Sequence, residues 1–464
     1  MERKSNQTTI TLVIIMISSF ITPFMSNAIN IAIPAIGIDF GANQSMINWV
    51  VSSFLLSTAA FLLPFGRIAD LFGRKKMFLI GMILLAASSL GCALAPSLGV
   101  LICFRIIQGF SSAMSLSTSM AILTSVIPPQ SRGRALGFNS AATYIGLSCG
   151  PVLGGVISSA LSWRAVFYFN LLIAAIVVIL TIWKLKGEWK DEAIKLDGGG
   201  VVFCILAQGL LLFGLNDLAA GPLYQVCFAL GVVLLIIFFL FERKRRNPLL
   251  PVQSIVKNKT FAFSNLATLI NYSATFALSF MLSLYLQAAL HLDAAISGLI
   301  LLVQPVLMAV LSPITGSLSD KLSPKLLSSI GMGISALGLL FFIFLTTSTP
   351  IIFIIIVLAF IGIGYSLFSS PNTNAVMGSV DKTLYGVASA LLGNMRLLGQ
   401  SISMAIIALI TSVLIGDLTI GSPEYVVKLL VSLKTAFIVF TVLCAVGVWV
   451  ALAREKVKQG PEAG

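Results

Sequence analysis

Long apolar runs decide what this chain can become. Stretches of about twenty apolar residues recur from one end of the sequence to the other. Wound as a helix rising ~1.5 Å per residue, each can cross a hydrocarbon layer ~30 Å thick. They lack the alternation of the short strands that build a membrane β-barrel. Only 10% of the 464 residues are charged, against roughly a quarter in a soluble domain, and the mean hydropathy is +1.03. The expectation is an all-α membrane protein in a lipid bilayer, with fourteen transmembrane helices near 9–33, 46–65, 77–95, 98–124, 135–160, 163–183, 198–216, 222–241, 260–288, 295–315, 326–346, 350–371, 385–414 and 432–453. No small-residue cleavage site follows the first run, which therefore reads as a retained helix.

Charge placement orients these spans. An even count puts both termini on one side. With the N-terminus in the cytosol, the outer loops hold Arg164, Lys428 and Lys434, and the span interiors hold Arg105 and Arg396. The other 24 of the 29 Lys and Arg residues then face the cytosol, as the positive-inside bias requires. The net charge of +13 thus follows from topology and calls for no nucleic-acid partner. The six cysteines lie singly in apolar runs without a CxxC pair, so they read as packing residues. Neither a metal site nor a cofactor site is expected.

The largest basic blocks, 184–195 and 242–259, flank the seventh and eighth spans and mark them as an inserted pair. This divides the chain into an N-terminal six-helix bundle (1–190), an inserted two-helix linker (191–245) and a C-terminal six-helix bundle (246–464). An internal repeat supports the division. Gly66, Asp70, Lys75, Gly81 and Met82 recur 250 residues later as Gly316, Asp320, Lys325, Gly331 and Met332. Two pseudo-symmetric bundles predict a site at their interface and alternating access around it. The charged stretch "GRIADLFGRKK" at 66–76 is expected as the turn between the second and third spans. There Gly66 and Gly73 permit close approach, and Arg74 anchors the turn. Asp70 and its counterpart Asp320 are placed to grip a helix N-terminus or an arginine of the opposite half, gating the cytosolic side.

The same stretch resembles the signature loop of the major facilitator superfamily, and other motifs agree in order and spacing. "RIIQGFSSA" resembles the fourth-span motif, carried by Arg105, Gln108 and Gly109. "GLSCGPVLGG" resembles the fifth-span pattern at Gly146, Gly150, Pro151, Gly154 and Gly155. "NIAIP", "WVVSSFLL", "WRAVFYFN", "LDGGG", "YLQ" and "NMRLLGQSIS" resemble the fourteen-span drug–proton antiporter subfamily. The resemblance implies a multidrug-type exporter of the cell membrane, working as a monomer on a small-molecule substrate, with H+ as counter-ion. The fifth-span motif is the one associated with antiport. Physically, Gly146, Gly150 and Gly154 stand four apart on one helix face, where a neighbour can come close, and Pro151 permits a bend.

One feature departs from the subfamily. None of the sixteen acids falls near a bilayer midplane, and the one histidine, His291, falls in an outer loop. Where the subfamily commonly carries an Asp in the first span, this chain has Met25. An interior holding Arg105 and Arg396 without a fixed acid suits neutral or anionic compounds better than cations. Candidate cavity residues are Asn27 and Asn30, Asn139 and Tyr144, Asn271 and Tyr272, Gln304, Asn372 and Asn374, and Arg396. Two functions remain open: an exporter of amphipathic or drug-like compounds by proton antiport, and a narrower carrier for an organic anion or neutral metabolite that need not be proton-coupled. An enzyme is not expected, since no convergent acids, histidines or nucleophile pair appear.

Overall fold

The computed structural model describes residues 2–41, 44–190, 197–216, 218, 221–245, 248–250, 252–416 and 423–454. Of the described residues, 88% are helical and none lies in a strand. Spans 1 to 14 are, in order, Gln7–Phe40, Met46–Phe72, Arg74–Ala93, Leu98–Val126, Pro129–Ala160, Trp163–Lys184, Gly198–Asn216, Pro222–Lys244, Lys259–Ala288, Ala295–Lys321, Pro324–Phe342, Ile351–Gly378, Lys382–Leu414 and Glu424–Leu452. Each is long and apolar enough to cross a membrane.

Packing repeats between the halves. Span 1 lies against spans 5 and 6, span 2 against span 4, and span 3 against spans 4 and 6. Eight places further on, span 9 lies against 13 and 14, span 10 against 12, and span 11 against 12 and 14. The two sets meet mainly where span 2 crosses span 13 and span 10 crosses span 5. Spans 7 and 8 pair with each other, and span 7 leans on both span 2 and span 13. The expected start of the inserted segment at 191 and the expected start of the C-terminal bundle at 246 lie outside the described residues.

One expectation is corrected. The stretch from Gly66 is not a turn: span 2 stays helical through "GRIADLF" to Phe72, and the chain reverses at Gly73, whose φ is +118°. Span 10 likewise stays helical through Asp320 to Lys321. Helical geometry keeps Gly66 and Asp70, and Gly316 and Asp320, four residues apart on one face, so each pair meets the same neighbour. Span 9 is interrupted between Thr275 and Leu278. The Ala277 N–H freed at that break donates to Ser403 Oγ at 3.1 Å, which satisfies a polar group that lipid could not.

Candidate functional site

Two carboxylates clasp the halves together. The first residues of span 13 leave backbone donors without intrahelical partners. Asp70 takes two of them: Gly386 N–H donates to Oδ1 at 2.9 Å and Val387 N–H to Oδ2 at 3.1 Å. Asp320 does the same at the start of span 5, accepting from Gly133 at 2.6 Å and Arg134 at 2.9 Å. A carboxylate is favoured here because the helix dipole and the free N–H groups both point at it. The glycines make the crossings close enough. A Cβ on Gly66 would collide with Ala390 and the Gly386 carbonyl, and one on Gly316 with the Gly133 carbonyl.

The clasps differ in their supports. Arg74 Nε donates to Asp70 at 2.7 Å, Nη1 to Ser125 Oγ at 2.8 Å, and Nη2 to the Lys382 carbonyl, so one guanidinium ties the carboxylate to both halves. The position 250 residues on is Pro324, and among the described residues Asp320 has only Asn374 as a side-chain donor, at 3.5 Å. Asp70 is fully buried, whereas Asp320 is partly open. Between the clasps, Arg132 donates to the Tyr385 hydroxyl at 3.1 Å. These two residues occupy corresponding positions just before Gly133 and Gly386, so the pseudo-twofold axis passes between them. Asp70 and Asp320 therefore lie at the same end of the bundle. The same end carries a strap after span 6. Glu188 accepts from the Lys75 and Lys76 N–H groups at 2.9 and 3.2 Å, capping span 3, and its carboxyl group packs against Gly73.

The fourth-span motif lies inside the first half. Arg105 is fully buried; its Nε donates to the Val50 carbonyl at 2.7 Å and its Nη1 to Gln108 at 2.6 Å. The guanidinium also sits 4.4 Å from the Phe54 ring centroid. Gln108 passes the network to Ser89, which also receives Asn170, and Gly109 has span 2 against it at the Phe54 carbonyl. Arg105 thus joins spans 2, 3, 4 and 6 and does not line the interface between the halves. The fifth-span glycines also face inward, toward span 1. Gly146 meets the Phe20 carbonyl, Gly150 meets Asn27 and Gly154 meets Ala28, while Gly155 makes ordinary contact with Ile31. Pro151 stands within the unbroken span 5 helix. Asn27 and Asn139 strengthen this seam: Asn27 Nδ2 donates to the Leu147 carbonyl at 2.9 Å, and Ser19 donates to Asn139 Oδ1 at 2.7 Å.

Of the other cavity candidates, Asn30 is exposed and Gln304 is buried. Asn372 donates to Thr268 at 2.7 Å, joining span 12 to span 9. Asn374 belongs to the Asp320 clasp rather than to the centre, with Ser319 Oγ at 3.0 Å. Three candidates do come together at mid-span. Tyr144 on span 5 and Tyr272 on span 9 both stand edge-on to Tyr365 of span 12, with ring centroids 6.1 and 5.6 Å apart. Tyr144 donates to Ser369 at 2.7 Å, crossing between the halves. Arg396 of span 13 donates Nη2 to Thr373 at 2.9 Å, with its guanidinium 5.9 Å from the Tyr272 ring. Asn271, beside Tyr272, is fully buried with neither amide atom partnered. Tyr365, Ser369 and Thr373 were missed from the sequence. Their signal was a four-residue spacing leading into the Asn372 and Asn374 pair.

Every described acid in the spans stands at a span end, including Asp39, Asp70, Glu242, Asp320 and Glu424. Asp191, Glu192, Asp217, Asp417, Glu455 and Glu462 lie outside the described residues. Met25, at the position of the subfamily's common acid, is buried in an apolar cluster with Phe24 and Phe167. Among the described residues, no cluster of His, Cys, Asp or Glu could hold a metal.

A family model described as the Major Facilitator Superfamily matches residues 15–404 and again 264–464. The chain belongs to this superfamily. Among its relatives is the riboflavin transporter RibZ of Clostridioides difficile, 30% identical over 400 residues that span 85% of this chain and 86% of RibZ. Another is the multidrug resistance protein Stp of Mycobacterium tuberculosis, 28% identical over 387 residues, 82% of this chain and 71% of Stp. Of solved structures, the superfamily proton:xylose symporter XylE aligns with a TM-score of 0.67 at 14% identity, covering 95% of each chain. At that identity the likeness shows the fold alone. With both carboxylate clasps made, the two halves are tied together at the Asp70–Asp320 end.

Proposed function

We propose that this chain exports small amphipathic or drug-like compounds by alternating access, in exchange for protons, as a monomeric carrier rather than an enzyme. It would sit in the cell membrane with both termini cytosolic, so that the Asp70–Asp320 end is the cytosolic gate. The observation that carries this reading is the paired clasp. Two carboxylates at equivalent places in the two halves each hold a helix N-terminus of the other half. Contacts of that kind can be made and released as a unit, at ~1.5–3 kcal/mol for each hydrogen bond to a charged group. This is enough to bias two conformers. The core of Tyr144, Tyr272 and Arg396, with Tyr365, is the proposed substrate site, lying at the interface where alternating access exposes it to each side in turn. The fourth- and fifth-span motifs would keep the first half rigid.

A narrower carrier for a neutral metabolite or organic anion is the second reading. The absence of a mid-span carboxylate among the described residues favours it, as does similarity to a relative named for riboflavin. Uptake into everted vesicles, with and without an imposed pH gradient, separates the two. Gradient-dependent uptake of several unrelated compounds supports drug–proton exchange. Uptake of one compound class without pH dependence replaces it with the second reading.

A further inference from the structure

The charge at the centre is unbalanced, and that selects among substrates. Arg396 is held at mid-span by Thr373, a neutral hydroxyl, and its Nε is buried with no hydrogen-bond partner. Arg396 and Tyr272 are half-buried, on the side where Tyr365 meets Tyr144 of the opposite half. A guanidinium stays protonated in any protein environment. Lodged in a bilayer interior with no counter-ion among the described residues, it is costly until an anion reaches it. The opposite face of the same helix turn is already used: Asn394, two residues earlier, points to the inserted pair and donates to Gln208 at 2.6 Å.

The neighbours specify the rest of the ligand. The Tyr144 and Tyr272 rings each stand nearly perpendicular to the Tyr365 ring, at 83° and 80°. Such edge-to-face walls receive a flat ring by the same quadrupole geometry that orders them. A cation would meet the guanidinium at close range with no described carboxylate at mid-span to offset the repulsion.

We infer that this site takes a planar aromatic compound carrying a carboxylate or similar oxyanion. The carboxylate pairs with Arg396 and the ring lies among Tyr144, Tyr272 and Tyr365. The inference rests on the proposal that this cluster is the substrate site.

The test uses three ligands sharing one ring: 2-naphthoate, 2-naphthamide and 2-naphthylmethylammonium. Each is measured for binding to the purified full chain and for transport in proteoliposomes. The wild type is expected to bind the anion at least about tenfold more tightly than the cation, the scale of one charge-assisted hydrogen bond. Arg396→Gln should remove that preference by weakening the anion about tenfold more than the amide. Tyr272→Leu should weaken all three together, since the ring contact is common to them. If Arg396→Gln does not fold, the preference of the wild type and of Arg396→Lys, which keeps the charge, still decides. Equal binding of the three, or a preference that survives Arg396→Gln, overturns the inference while leaving export standing. If none of the three binds or moves, but unrelated compounds are exported, the inference falls alone. If nothing is transported at all, the export reading falls with it.

Discussion

Asp70 and Asp320 repeat in sequence but are not equal in energy. Asp70 is buried and shares its charge with Arg74, so Asp70→Asn leaves a buried guanidinium without its counter-ion, a loss of ~3–5 kcal/mol. Asp320 is partly open and leans on two backbone donors and a distant Asn374. Asp320→Asn is expected to cost ~1–3 kcal/mol. Hydrogen exchange reads both directly. Amides 385–390 should lose protection strongly in Asp70→Asn, and amides 133–137 weakly in Asp320→Asn. Equal losses would show that Arg74 adds nothing to its clasp. The duplicated Gly and Asp were legible in the sequence because identity at a fixed offset needs no structure. That one clasp has an arginine and the other Pro324 was legible too. What Arg74 bonds to, Ser125 and the Lys382 carbonyl, depends on helices far away in the chain and was not.

At the scale of elements, spacing predicted faces but not their partners. Gly146, Gly150 and Gly154 were rightly placed on one side of a helix, and the structure shows that side against span 1. Gly150→Val would put its Cβ 2.7 Å from the Asn27 Cβ and 3.0 Å from the Phe24 carbonyl. Overpacking of that kind costs roughly 1–3 kcal/mol and should lower the melting temperature in detergent. Gly155→Val, facing Ile31 Cγ2 at 3.6 Å, should change it little. The inserted pair offers a second test. Gln208 and Asn394, both buried, join span 7 to span 13. Asn394→Leu strands the Gln208 carbonyl oxygen and should destabilise by about 1 kcal/mol, as such bonds do within membranes. Adding Gln208→Leu should recover part of that loss, because two apolar groups leave nothing unpaired.

Across the whole molecule, the described hydrogen bonds that join the halves lie at the Asp70–Asp320 end, or at mid-span for Tyr144 and Ser369. Under the proposed rocking between the halves, this end is the closed one. Spin labels at Gln130 and Thr383, both exposed at the clasped end, should separate when transport turns the molecule over. Labels at Ser162 and Ser348, at the other end, should approach. A distance that fails to change at either end under turnover conditions would exclude rocking between these halves. Asp70→Asn should widen the Gln130–Thr383 distance even without substrate, since the closed state loses its buried ion pair.

By itself the sequence determined the number of spans, the concentration of charge at one end and the duplication of the halves. These rest on hydropathy, charge and identity, which each residue carries wherever it packs. Only the tertiary structure decided that Arg105 is locked within one bundle while Arg396 stands at the interface, and that Tyr365 joins Tyr144 and Tyr272. Two intramembrane arginines look alike along a chain. What separates them is which helix faces lie within a few ångströms, and in a bilayer that is set by the close fit of side chains distant in sequence.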